Sequence, residues 1–127
     1  MSRETAKGTR FETQVADYMR SRLHMPIERR AKCGSKDRGD IAGFRIGPWD
    51  CVVECKNRKA MDLPGWLAEA EDERENACAS YGVVIHKRRG YGDKNMGGTY
   101  VTMTLDTLLD IAGDVKAQKI GLRFGED

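Results

Sequence analysis

The sequence predicts an α/β domain in which a mixed β-sheet of about five strands is flanked by helices. Helical and strand periodicities alternate along the chain in the order α, β, β, β, α, β, β, α. One run, Val83-Val84-Ile85-His86-Lys87, is nearly all apolar, as suits a strand covered on both faces. The 127 residues contain no internal repeat and no dividing linker, so a single domain over 1–127 is expected.

The first helix is expected from about Thr9 to Leu23. Phe11, Val15, Tyr18, Met19 and Leu23 recur at helical spacing, and Thr9-Arg10-Phe11-Glu12 has the form of a capping box, with Thr9 as N-cap and Glu12 at the third position. Pro26 ends it, because the residue before a proline avoids helical geometry. Ile27–Lys32 reads as a short basic strand, 33–39 as a loop, and Ile41–Phe44 as a second strand opened by Asp40. Gly47-Pro48 turns the chain into a third strand, Trp49–Lys56, whose apolar character places it centrally. The second helix begins after Asp62, a good N-cap, with Pro64 in its first turn and Gly82 as the expected stop. Trp66, Leu67, Ala70, Ala77, Cys78 and Tyr81 form its expected buried face, and Glu69, Glu71, Asp72, Glu73 and Glu75 a solvated acidic face, from which Glu69 could approach the site. After the apolar strand at 83–87 comes a loop with four glycines over 90–98. A half-buried strand over Tyr100–Thr104 follows, then a short helix marked by Leu105, Leu108, Leu109 and Ala112. The ends, about 1–8 and 114–127, are expected to be flexible. Trp49, Trp66 and His86 read as packed residues.

The net charge is only +2, but it is unevenly spread. Residues 1–60 carry 14 basic and 8 acidic side chains, whereas 62–80 carry 1 basic and 6 acidic. A basic half points to a polyanionic partner. No apolar run approaches the roughly 18 residues of a membrane span. Met1-Ser2-Arg3-Glu4 has no signal-peptide character, so a cytoplasmic location is expected, the host cytoplasm if the chain is phage-encoded. Cys51 and Cys55 lie on one expected strand, which puts their Cα atoms roughly 13 Å apart, too far for one zinc ion. Reduced packed thiols are the better reading.

The chemistry concentrates between Gly34 and Lys56. Strand alternation puts Glu54 and Lys56 on one face and Cys51, Val53 and Cys55 on the other. A carboxylate and an ammonium on an otherwise apolar strand are costly unless they act together. Phosphodiester hydrolysis at neutral pH is served by Mg²⁺, which needs only one or two carboxylates and keeps several waters. Asp40 and Glu54 are the candidate carboxylates, and the Cys55 carbonyl a further oxygen ligand. Lys56 would orient the nucleophile and meet the developing negative charge. Asp37 is a second acid in the same loop; Asp40 is preferred because it abuts Ile41-Ala42. Arg29, Arg30, Lys32, Lys36 and Arg38 form a candidate phosphate-binding strip, extended by Arg88 and Arg89 and, near the N-terminus, by Lys7 and Arg10.

Gly39-Asp40, followed 14 residues later by Glu54-Cys55-Lys56, resembles the PD-(D/E)xK nuclease signature, with glycine where proline often stands. Within that superfamily the chain looks most like archaeal-type and phage Holliday-junction resolvases. Lys7-Gly8 with Phe11-Glu12, then Arg30-Ala31-Lys32-Cys33-Gly34-Ser35, then Val83–Arg89, follow that family's order over about residues 7–90. The resemblance implies a restriction-endonuclease-like core and a homodimer that resolves four-way DNA junctions by paired cuts. It also implies Mg²⁺, with Mn²⁺ as a substitute, held by Asp40 and Glu54. Lys56 would be the catalytic lysine, Glu12 a helix-borne acid that reaches the metal directly or through water, and Ser35 a loop serine close to the scissile phosphate. A single-strand or restriction-type nuclease on the same core is the alternative. The second helix lacks the glutamine that single-strand exonucleases often carry, and 127 residues leave little room for a base-reading element. A non-catalytic DNA-binding module is a further alternative, although no helix-turn-helix pattern is evident.

Overall fold

The computed structural model describes residues 3–31 and 36–125, with side chains over 5–31 and 36–119. The elements are α1 (Arg3–Leu23), β1 (Glu28–Arg29), β2 (Ile41–Ala42), β3 (Arg45–Ile46), β4 (Trp49–Lys56), α2 (Leu63–Ala77), β5 (Tyr81–His86), a 3-10 turn (Met96–Gly98), β6 (Tyr100–Thr102) and α3 (Leu105–Gly125). Among the described residues six strands, rather than about five, form a mixed sheet flanked by three helices. The strand order is β1-β2-β4-β5-β6, with β3 folded back on the start of β4. Among the described residues β4 and β5 run parallel, and β1–β2, β2–β4, β3–β4 and β5–β6 are antiparallel.

β4 is central, as its apolar run predicts, and Val53 and its diagonal neighbour Val84 are fully buried. Phe11, Val15 and Ala16 of α1 close over Ile41, Cys51, Val53, Cys55, Val83 and Ile85 on one face of the sheet, with Ile111 of α3 at the margin. Trp66 and Ala70 of α2 close over Val84 on the other. Each large apolar side chain buried this way contributes about 1.5–3 kcal/mol.

Several elements differ from the sequence expectation. α1 starts at Arg3, so Thr9 and Glu12 lie inside it and the capping-box pattern caps nothing. The Thr9 carbonyl instead accepts the Thr13 hydroxyl at 3.0 Å. β1 and β2 are two residues each, because the chain bends at Gly43, where φ is +86° and a Cβ would strike the Pro26 carbonyl. That bend splits off β3, the extra strand. Asp62 caps α2 as expected, accepting the Gly65 amide at 3.2 Å. The helix stops not at Gly82 but at Cys78, which takes the left-handed conformation at φ 53°. Gly82 lies in β5, where a Cβ would come within 2.9 Å of the Ala70 carbonyl oxygen. Its role is to let α2 lie close on the sheet. Cys78 is therefore exposed, and Tyr81 belongs to β5. At the ends, residues 3–8 are part of α1 and residues 114–125 part of α3. α3 passes through Gly113, whose helical cost of about 1 kcal/mol is too small to stop it, and the Tyr81 hydroxyl donates to Asp114 beyond it. No helix of the described residues is long and apolar enough to cross a membrane.

Candidate active site

Alternation along β4 sends Cys51, Val53 and Cys55 into the α1-side core and turns Val52, Glu54 and Lys56 toward α2. Glu54 is 4% exposed and Asp40 3%. Asp40 is stitched in place by backbone and side chain together. Its amide donates to the Val53 carbonyl at 2.9 Å, and its carbonyl accepts the Arg30 amide at 2.7 Å. Its Oδ2 accepts the Cys55 amide at 2.8 Å, so the carboxylate continues the ladder past the end of β2. Gly39 precedes it at φ +95°, with a Cβ position only 2.8 Å from Val52 Cγ1. Proline, fixed near −65°, cannot take that conformation.

Four segments meet around an open groove of about 450 Å³. Its walls include Thr5, Gly8, Thr9 and Glu12 of α1, Arg29 of β1, Asp40, and Glu54, Cys55, Lys56, Asn57 and Arg58 at the end of β4. Arg29 Nη1 stands 3.7 Å from Glu12 Oε1. Lys56 Nζ lies 3.2 Å from Glu54 Oε2 and 2.9 Å from Glu69 Oε2. Burial pulls the Lys56 pKa down, but the Glu69 and Glu54 carboxylates outweigh it, and the net shift is upward. Lys56 is therefore a fixed positive charge at neutral pH.

The acids around Glu54 are crowded. Burial first, then the neighbouring Asp40, pushes the Glu54 pKa far above the usual carboxylate range. Glu73 of α2 is 2% exposed, and burial, followed by its contact with Asp37, raises it too. Asp37, Glu54 and Glu73 each offer an oxygen within 4.8 Å of the others, an arrangement that could hold a metal ion. Among the described residues, Glu54 Oε1 and both oxygens of Glu73 have no hydrogen-bond donor. Burial and crowding keep protons on these carboxyls; a hard divalent cation that displaces those protons would satisfy the same oxygens, so the side chains fit an oxygen-liganded cation.

Glu12, Asp40, Glu54, Cys55 and Lys56 thus share one groove. Of the expected phosphate-binding residues, Arg29 lines it. Arg10 does not; two positions from Glu12 on the helix, it lines a separate cleft with Gln14, Asp17 and Asp93. Arg88 is also diverted, its guanidinium 4.0 Å from the centre of the Tyr91 ring and 5.1 Å from that of Tyr100. Lys7, Lys36, Arg38 and Arg89 are exposed outside the groove wall, and Arg30 has a buried, unpaired Nε. Ser35 and Lys32 lie outside the described residues. The acidic face of α2 is not uniformly solvated: Glu69 holds Lys56, and Glu73 is buried. A sequence signal for Glu73 existed, since Trp66, Ala70, Glu73 and Ala77 follow one helical stripe. Asn57 and Arg58 had no signal beyond following Lys56. No family model, no curated protein and no solved structure matches the chain.

Proposed function

We propose that the chain is a Mg²⁺-dependent, structure-selective DNA endonuclease on a restriction-endonuclease-like core, which as a homodimer resolves four-way junctions by paired phosphodiester hydrolysis. The observation that carries this reading is the convergence of Glu12, Asp40, Glu54 and Lys56 on one open groove. Asp40 and Glu54 would hold the ion, with the Cys55 carbonyl and Glu12 completing its oxygen environment. When bound, Mg²⁺ supplies a nucleophilic water at neutral pH and neutralises charge on the phosphate; Mn²⁺ has the same ligand chemistry. The chain's own contribution is positional and electrostatic. Lys56, held by Glu54 and Glu69, presents a preorganised ammonium to the negative charge that grows in the transition state. Arg29 and Arg58 on the groove wall would engage phosphates, which sets register without reading sequence. Glu12, Asp40 and Glu54 offset the positive charge of Arg29, Lys56 and Arg58 in the groove, and a bound cation would tip that balance toward phosphate.

The test is cleavage of a synthetic four-way junction by the wild type and by Lys56→Ala at equal concentration. Paired nicks that require Mg²⁺ and vanish with EDTA are expected, with the variant binding the junction but not cutting it. Full cleavage by Lys56→Ala sinks the mechanism. Elution as a dimer on gel filtration is expected alongside.

A further inference from the structure

We propose that Asp37, Glu54 and Glu73 form a divalent-cation site on the α2 side of β4, separate from the groove but sharing Glu54 with it. Neither Asp37 nor Glu73 lines the groove. They approach Glu54 from the loop ahead of Asp40 and from α2, with ligand oxygens all within 4.8 Å of one another. Proximity of acids alone would mean little. The decisive observation is Glu73, which is 2% exposed and whose two oxygens, among the described residues, meet no hydrogen-bond donor and lie against the carboxyls of Asp37 and Glu54. It occupies the helical stripe of Trp66 and Ala70, where an apolar side chain would serve packing better. Its carboxylate points instead at two others.

The loop acid is presented by dedicated contacts. Asn76 Nδ2 of α2 donates to the Asp37 carbonyl at 2.8 Å, and the Gly39 amide donates to Asp37 Oδ1 at 2.9 Å. The ligand set is oxygen only and carries three formal negative charges, which selects a hard cation such as Mg²⁺, Mn²⁺ or Ca²⁺ over a thiophilic one. A cation here would fasten the loop that leads into Asp40 to α2, and would hold Glu54 in place. The site itself stands without the nuclease reading; only the groove ion rests on that reading.

Mn²⁺ binding to the full chain, counted by calorimetry and by the electron paramagnetic resonance of free Mn²⁺, tests it. Glu73→Gln keeps the shape but cannot become an anionic ligand; Asp37→Asn repeats the test at an exposed position. Circular dichroism confirms folding, and if Glu73→Gln does not fold, Asp37→Asn carries the comparison. The wild type is expected to bind one ion that each of these variants loses, while Asp40→Asn retains it. Wild-type stoichiometry, with affinity within twofold, in both Glu73→Gln and Asp37→Asn overturns the proposal. Junction cleavage by the wild type separates the two readings. A protein that cuts but shows no Glu73-dependent ion keeps the nuclease reading and loses this one, and a protein that binds that ion but never cuts does the reverse.

Discussion

The two faces of β4 share one backbone and differ in everything else. Toward α1, Cys51, Val53 and Cys55 meet Phe11, Val15 and Ile41 in an apolar cluster. Toward α2, Glu54 and Lys56 meet Glu69 and Glu73, and buried carboxylate oxygens go unpaired. Strand alternation separates stability from chemistry by a single residue step. A one-residue slip would send the acid and the lysine into the core, so register is strongly enforced.

The largest expected effect breaks the apolar face. Phe11→Ala should cost about 3–5 kcal/mol of stability, read by denaturant unfolding, with cleavage per folded molecule unchanged. A loss of turnover in the folded fraction would show that the faces are not independent. Next, Lys56→Ala should lower junction cleavage about 10²–10³-fold, as loss of a preorganised charge does elsewhere, while junction binding persists in a gel-shift assay.

The polar face also predicts an unusual pH dependence. Folding raises the pKa values of Glu54 and Glu73, so the folded state keeps protons that the unfolded chain releases above about 4.3. Metal-free stability must then fall as pH rises toward the Glu73 value of about 8. His86, lowered by burial, acts oppositely, because its contribution is lost as pH falls below about 6.5. Between pH 6.5 and 8 the acids dominate. Melting temperature in EDTA should drop across that window, Mg²⁺ should restore it, and Glu73→Gln should flatten the slope. A rising melting temperature in EDTA would contradict the crowding argument. The smallest effect compares two arginines. Arg29→Ala should weaken junction binding and reduce its salt slope by about 1, whereas Arg10→Ala, in another cleft, should leave both as they are.

The parts legible in the sequence were those with short-range causes. Trp49–Lys56 emerged with its expected bounds because a turn, Gly47-Pro48, opens it and its residues are mostly apolar, and the Asp62 cap because its chemistry is local. Gly82 misled because glycine serves equally as a helix stop and as a point of close approach, and only packing against Ala70 decides between them. The start of α1 misled because a capping-box pattern inside a helix reads the same as one at its end. Asp40 and Glu54 could be paired from spacing. Glu73 could not, since its meeting with Glu54 depends on how α2 lies across β4. Its neighbours Glu71, Asp72 and Glu75 made it look like one more solvated acid.

Because α2 carries the chain from the end of β4 to the start of the parallel β5, residues 49–86 form one contiguous βαβ unit. Glu54, Lys56, Glu69 and Glu73 all belong to it, so the lysine can find its glutamates through contacts close in sequence, which form early. Asp37, Asp40 and Glu12 arrive from upstream, when β2 and α1 dock. Docking of β2 and α1 therefore brings further carboxyls up to Glu54, and any that are ionised resist it. In the proposed reading the divalent ion is a folding ligand as well as a reagent: refolding should run faster in Mg²⁺ than in EDTA, and equal rates would remove that role.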